Sequence, residues 1–265
     1  MRFRPLIAAA CMLVLAACSA DKDGKFAVNG NDLYLACSGG PGPTVIFEAA
    51  VGGDHALWPI ADRIRDKAYA CVYDRPGNGD SSVPAKPMTA RADVADLHKL
   101  LEVAAIPGPV VMVGHSYGGL IAWMEAVEHP DDVAGVVLID SSHPDQLTRW
   151  DALMTEGQRA QLRAPFANFP YVDFLASLEE AAGEYGSLPP VPLTVITGTN
   201  VDQATCDNGL PCHEMRDIWL ELQDAYAALR PDSRHIEAPT GHYVQDEDPD
   251  LVVDEILRMV ESLDS

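Results

Sequence analysis

Six short apolar runs, each closed by glycine, proline or a polar turn, constrain the fold of this chain more than any other feature. They are Leu33–Cys37, Thr44–Glu48, Tyr69–Tyr73, Val110–Val113, Val136–Ile139 and Leu193–Ile196. Ser38-Gly39-Gly40-Pro41, Gly52-Gly53, Asp74-Arg75-Pro76-Gly77, Gly114, Asp140 and Thr197-Gly198 follow them in turn. Runs this short, β-branched and nearly unbroken in hydrophobicity suit strands covered on both faces, because neither face meets water. Between them lie stretches with helical period. Arg91 to Ala104 sets Val94, Leu97, Leu100 and Leu101 on one face with charges opposite. Tyr117 to Glu128 follows an apolar run and stops at His129-Pro130, and Trp219–Leu229 and Leu251–Leu263 are also amphipathic.

Strands alternating with helices predict an α/β fold, a mostly parallel central sheet with helices on both faces. Residues 141–190 break the rhythm with polar helical fragments and several prolines. They predict a short helical cap inserted between two strands of one domain, 26–265. The length of 265 residues, 48% of them apolar, suits one large α/β domain. The formal net charge of −22 argues against nucleic acid or an anionic lipid surface as a ligand.

The first residues read as a targeting signal. Arg2 and Arg4 precede an apolar run, Leu6 to Ala17, too short to span a bilayer comfortably. It ends in Leu15-Ala16-Ala17-Cys18, which resembles a bacterial lipobox. That resemblance implies a signal peptide over 1–17, lipid on Cys18 and a polar tether over 18–25. It implies an exported lipoprotein, anchored to a membrane and facing the periplasm or cell exterior. The alternative is an ordinary secretory signal, also exported. Cys11 would leave with the signal and Cys18 would carry lipid. Cys37, Cys71, Cys206 and Cys212 then remain in an oxidising compartment. Cys206 and Cys212 flank a five-residue segment and read as a small disulfide loop; Cys37 and Cys71 pair by elimination. A zinc site is the rival reading, with only His213 beside these cysteines and no C-x-x-C.

Gly114-His115-Ser116-Tyr117-Gly118-Gly119 sits between an apolar run and a helical stretch. In that context G-x-S-x-G makes a sharp strand-to-helix turn, which exposes the serine hydroxyl at the sheet edge. Ser116 is then in a strained conformation, and Gly114 and Gly118 have no side chain to clash in the turn.

With this motif the chain resembles the α/β-hydrolase family over nearly its whole mature length. Asp74 to Ser81 is similar to the family's D-x-x-G-x-G-x-S turn, expected to shape the site wall. Family order puts the histidine last, on a loop before the final helix, and Thr240-Gly241-His242-Tyr243 supplies it. Among the other histidines, His115 is expected to pack inside the elbow, and His55, His143 and His235 to be surface or pocket residues.

Two strand ends offer the acid: Asp140 after Val136–Ile139, and Asp202 after Leu193–Ile196 by a longer loop. Asp140 is favoured, with Asp202 as the alternative. The oxyanion hole needs two backbone N–H groups. Tyr117 is expected to give one, and Ala50 or Val51 the other.

The resemblance implies a serine hydrolase with Ser116 as nucleophile, His242 as general base and a small-molecule acyl substrate. An ester is the default substrate. Thioesterase, amidase and C–C bond hydrolase activities stay open on the same site, as does a non-catalytic binding module of the same fold. No metal and no cofactor are called for: Gly39-Gly40-Pro41-Gly42 lacks the lysine and helix of a phosphate loop.

Overall fold

The computed structural model describes residues 20–53 and 55–263. The expected signal peptide and Cys18 lie outside the described residues. Eight strands form one sheet: β1 (Lys22–Val28), β2 (Asn31–Gly39), β3 (Thr44–Glu48), β4 (Tyr69–Tyr73), β5 (Val110–His115), β6 (Val133–Ile139), β7 (Leu193–Gly198) and β8 (Arg234–Ala238). The sheet order is β1-β2-β4-β3-β5-β6-β7-β8. β1–β2 and β2–β4 pair antiparallel and every other pair is parallel. The helices are α1 (Trp58–Ile64), α2 (Ala90–Val103), α3 (Tyr117–Glu128), α4 (Gln146–Asp151), α5 (Glu156–Phe166), α6 (Phe174–Ala182), α7 (Gln203–Asp207), α8 (Cys212–Ala227), α9 (Val244–Glu247) and α10 (Pro249–Leu263).

Each central strand feeds two cores, as its unbroken hydrophobicity requires. On β5, Val110 and Met112 face one side, with Val94 and Leu97 of α2, α3 and α8. Val111 and Val113 face the other, with Ile60 of α1 and Ile256 of α10. The cap is three helices, α4 to α6, between β6 and β7. Its α6 packs on α2, where Ser177 Oγ accepts from the Ala90 N–H at 2.9 Å, α4 packs on α8, and an isolated bridge joins Met88 to Val172.

The tether does not run to residue 25. Lys22 to Lys25 already pair with Tyr34 to Cys37 as part of β1. Asn29 and Gly30, at φ 48° and 91°, turn β1 into β2 as a tight hairpin. β1 is an edge strand whose residues alternate between exposed and half-buried, so it carries no continuous apolar run. β8, Arg-His-Ile-Glu-Ala, was missed for the same reason.

Both disulfides form, Cys37–Cys71 and Cys206–Cys212. Cys37 and Cys71 face each other directly across the β2–β4 register. The Cys206 sulfur is bonded to that of Cys212, so the grouping with His213 offers no free thiolate to zinc. The helix expected from Trp219 starts earlier, at Cys212, where this disulfide loop delivers the chain. No helix among the described residues is long and apolar enough to cross a membrane.

Candidate active site

The elbow forms where β5 ends and α3 begins. Ser116 holds φ 55° and ψ −121°, outside the regions ordinary residues favour. Such a conformation costs on the order of 1–3 kcal/mol and persists because its surroundings enforce it. A Cβ on Gly118 would stand 2.2 Å from the Glu48 carbonyl oxygen, and one on Gly114 2.3 Å from that of Gly118. Only glycine lets α3 sit this close to the loop after β3.

His242 lies on the loop between β8 and α9. Its Nε2 is 2.9 Å from Ser116 Oγ, and its Nδ1 is 2.6 Å from Asp140 Oδ2. A carboxylate can only accept, so Nδ1 carries the ring proton and Nε2 turns a lone pair toward the serine. Asp140 directly follows β6 at φ 42° and is buried. Its other oxygen, Oδ1, accepts from Trp219 Nε1 at 2.8 Å and from the Gly198 backbone N–H at 3.1 Å. Three donors therefore hold one carboxylate.

Asp202 borders the same cavity, but its carboxylate serves α7. It accepts from the Ala204 N–H at 3.1 Å and from the Thr205 hydroxyl. That is N-cap work.

His115 does more than pack. Its Nε2 donates to the His242 carbonyl at 2.8 Å, and Nδ1 accepts from Gln245 Nε2 at 3.3 Å. Burial, and then the neighbouring His242, pull it down to about 4, so it stays neutral and able to fill both roles. The elbow residue before the serine thus pins the backbone that carries His242. His143 is neither a surface nor a pocket-lining residue. It is buried between Tyr185 and Tyr226, ring centroids 4.4 and 4.8 Å away, and burial first, then Arg149, hold it at about 3. His235, half-buried, pairs with Thr197 and Asp224.

Tyr117 and Gly118 open α3, so their N–H groups have no acceptor within the helix. Ala50 and Val51 line the cavity together with Ser116. Their loop is held from beneath by Arg75. Its Nη1 donates to Glu48 Oε2 at 2.6 Å and to the Ala49 carbonyl at 2.7 Å, and its Nη2 to the Ala50 carbonyl at 2.6 Å. With those carbonyls drawn toward Arg75, the loop keeps a fixed shape beside the serine. Burial works against the charge of Arg75, but Glu48 and Asp93 more than offset it and hold the guanidinium above its ordinary value. Asp74, in the same turn, accepts from the Asp80 N–H at 2.9 Å and keeps the turn closed.

The cavity over Ser116 measures about 780 Å³. Its walls come from the cap (Trp150, Leu162, Phe166, Phe169, Phe174), from α8 (Met215, Arg216, Trp219) and from the loops carrying Asn200 and His242. Trp219 and Arg75 were not singled out from sequence. A tryptophan on an amphipathic helix reads as core, and Arg75 entered only as part of the Asp74 to Ser81 turn expected to shape the site wall, with no role of its own. Only the fold brings Trp219 to Asp140 and gives Arg75 its hold on the loop after β3.

The family model described as Alpha/beta hydrolase family matches residues 39–255. The uncharacterized protein YqjL of Bacillus subtilis is 27% identical over 217 residues, 81% of this chain and 82% of its own length. Lipase LipV of Mycobacterium tuberculosis is 31% identical over 163 residues, 60% of this chain and 58% of that protein. The crystal structure of the enol-lactonase from Burkholderia xenovorans is similar at a TM-score of 0.64 and 21% identity, over 89% of this chain and 99% of that one, a likeness of fold.

Proposed function

The chain belongs to the Alpha/beta hydrolase family, and we propose that this hydrolase is a serine esterase acting through an acyl-enzyme on Ser116. The observation that carries the reading is the hydrogen-bonded series Asp140–His242–Ser116, at 2.6 and 2.9 Å. Ser116 Oγ attacks the acyl carbon while His242 Nε2 takes its proton. The tetrahedral oxyanion is held by the N–H of Tyr117 and that of Ala50 or Val51. The intermediate collapses, and the alcohol leaves with the proton from His242. Water then attacks the acyl-enzyme, His242 again accepting the proton, and the free acid departs. Asp140 fixes the ring tautomer and stabilises the imidazolium.

The test is hydrolysis of p-nitrophenyl acyl esters by the wild type and by Ser116→Ala. The reading expects turnover that falls to background in a folded variant. Retention of most activity by that variant would contradict it.

The same proposal includes export and lipidation at Cys18, supported by Arg2, Arg4 and the apolar run to Ala17. With β1 starting at Lys22, the tether is short, and the sheet edge would lie within about 14 Å of the lipidated residue. Fatty-acid labelling of the wild type, and its loss in Cys18→Ser, tests this.

A further inference from the structure

Among the described residues, Arg216 is the one lysine or arginine lining the cavity over Ser116. It sits on α8, three residues before Trp219, so the two side chains share the helix face turned to the cavity. Its Nε and Nη2 are shielded from solvent and have no hydrogen-bond partner, and it forms no ion pair among the described residues. The residue is half-buried, and shielded N–H groups of a guanidinium without a partner are costly, so such groups are normally matched by an anion.

The carboxylates along the cavity wall are already engaged. Asp140 accepts from His242, Trp219 and Gly198; Asp202 caps α7; Glu247 accepts from the Gly241 N–H at 2.9 Å. Among the described residues no carboxylate forms an ion pair with Arg216. Burial lowers its proton affinity and Asp140 partly restores it.

We propose that Arg216 binds a carboxylate on the substrate, so that this hydrolase cleaves esters whose acyl or alcohol part carries a free acid group. The inference rests on the serine-esterase reading above. Nε–H and Nη2–H lie along one edge of the guanidinium as parallel donors, a fork that matches the two oxygens of a carboxylate. A phosphate would bring a second negative charge to a wall already holding Asp140, Asp202 and Glu247. Phe166, Phe169, Phe174 and Met215 supply an apolar surface for the hydrocarbon between that carboxylate and the scissile bond.

Two matched substrates test it: p-nitrophenyl hydrogen glutarate, which is anionic, and p-nitrophenyl valerate, which is neutral and of similar length. The wild type is expected to favour the anionic ester in kcat/KM. In Arg216→Met the ratio of anionic to neutral kcat/KM should fall about 100-fold, mainly through KM, with partial recovery in Arg216→Lys. A wild type that prefers the neutral ester, or a ratio unmoved in a folded Arg216→Met protein, overturns the proposal. Failure of the serine-esterase reading looks different: the wild type turns over neither ester and takes no label from a fluorophosphonate.

A binding arm needs no turnover. Calorimetry of Ser116→Ala with glutarate should show binding that the added Arg216→Met change abolishes, and inorganic phosphate should bind more weakly. Absence of glutarate binding, or phosphate binding as tight as glutarate, refutes the carboxylate assignment.

Discussion

Asp140→Asn separates a carboxylate that sets the tautomer of His242 from one that merely stands nearby. In the structure Oδ1 faces two N–H donors, Trp219 Nε1 at 2.8 Å and Gly198 N at 3.1 Å, while Oδ2 faces His242 Nδ1 at 2.6 Å. An asparagine offers one oxygen and one NH₂ group. Turning NH₂ toward Trp219 and Gly198 would set donors against two donors. The amide therefore keeps its oxygen there and presents NH₂ to His242. Nδ1 must then accept, the ring proton moves to Nε2, and the face toward Ser116 Oγ can no longer take a proton. The expected loss is on the order of 10⁴ in kcat, by analogy with asparagine at this position in other triads. That corresponds to about 5.5 kcal/mol of transition-state stabilisation. Steady-state hydrolysis of a p-nitrophenyl ester reads it, with circular dichroism as the control for folding. Adding Trp219→Phe removes one of the two donors that orient the amide, so the double variant should recover part of the loss. Asp202→Asn should change kcat less than threefold, because its carboxylate serves the start of α7. A folded Asp140→Asn enzyme with more than a tenth of wild-type kcat, or Asp202→Asn as the more damaging change, would exclude Asp140 as the group that sets the His242 tautomer.

Removing the Cys37–Cys71 bridge by paired alanine substitutions should lower stability by about 4 kcal/mol, and removing Cys206–Cys212 by about 2, because the first closes 34 residues of chain and the second six. Urea unfolding checks both magnitudes and their order. Glu125 gives a pH signature. Burial first, then Glu48, Glu128 and Asp132, push its carboxyl from 4.5 up to about 8. The folded chain thus binds a proton that the unfolded chain has released, and stability falls as pH rises from about 4.5 through 8. Glu125→Gln should remove that decline, with a gain on the order of a few kcal/mol at pH 9 and little at pH 4.5; thermal melts at the two values decide.

The central strands and the elbow were legible because their physics is local. Val110 to Gly119 spells a buried strand, a forced turn and a helix start within ten consecutive residues. Asp140 was legible because it ends a strand whose neighbour carries the serine. β1 and β8 were not, since edge strands alternate with solvent and resemble loops in sequence. Trp219 lies 79 residues from Asp140, and Arg75 lies 25 from Ala50, so neither contact leaves a local pattern. His143 escaped for a related reason: Ser-Ser-His-Pro reads as a surface turn, and only the packing of Tyr185 and Tyr226 over it makes it core.

Ser116 is proposed above as the activated nucleophile of this site. Treating the folded protein with a fluorophosphonate and mapping the adduct by peptide mass spectrometry tests it most directly. One adduct is expected, on Ser116, absent in Ser116→Ala and formed far more slowly in Asp140→Asn. No adduct on the folded wild type, or an adduct on another residue with Ser116 unmodified, would contradict it.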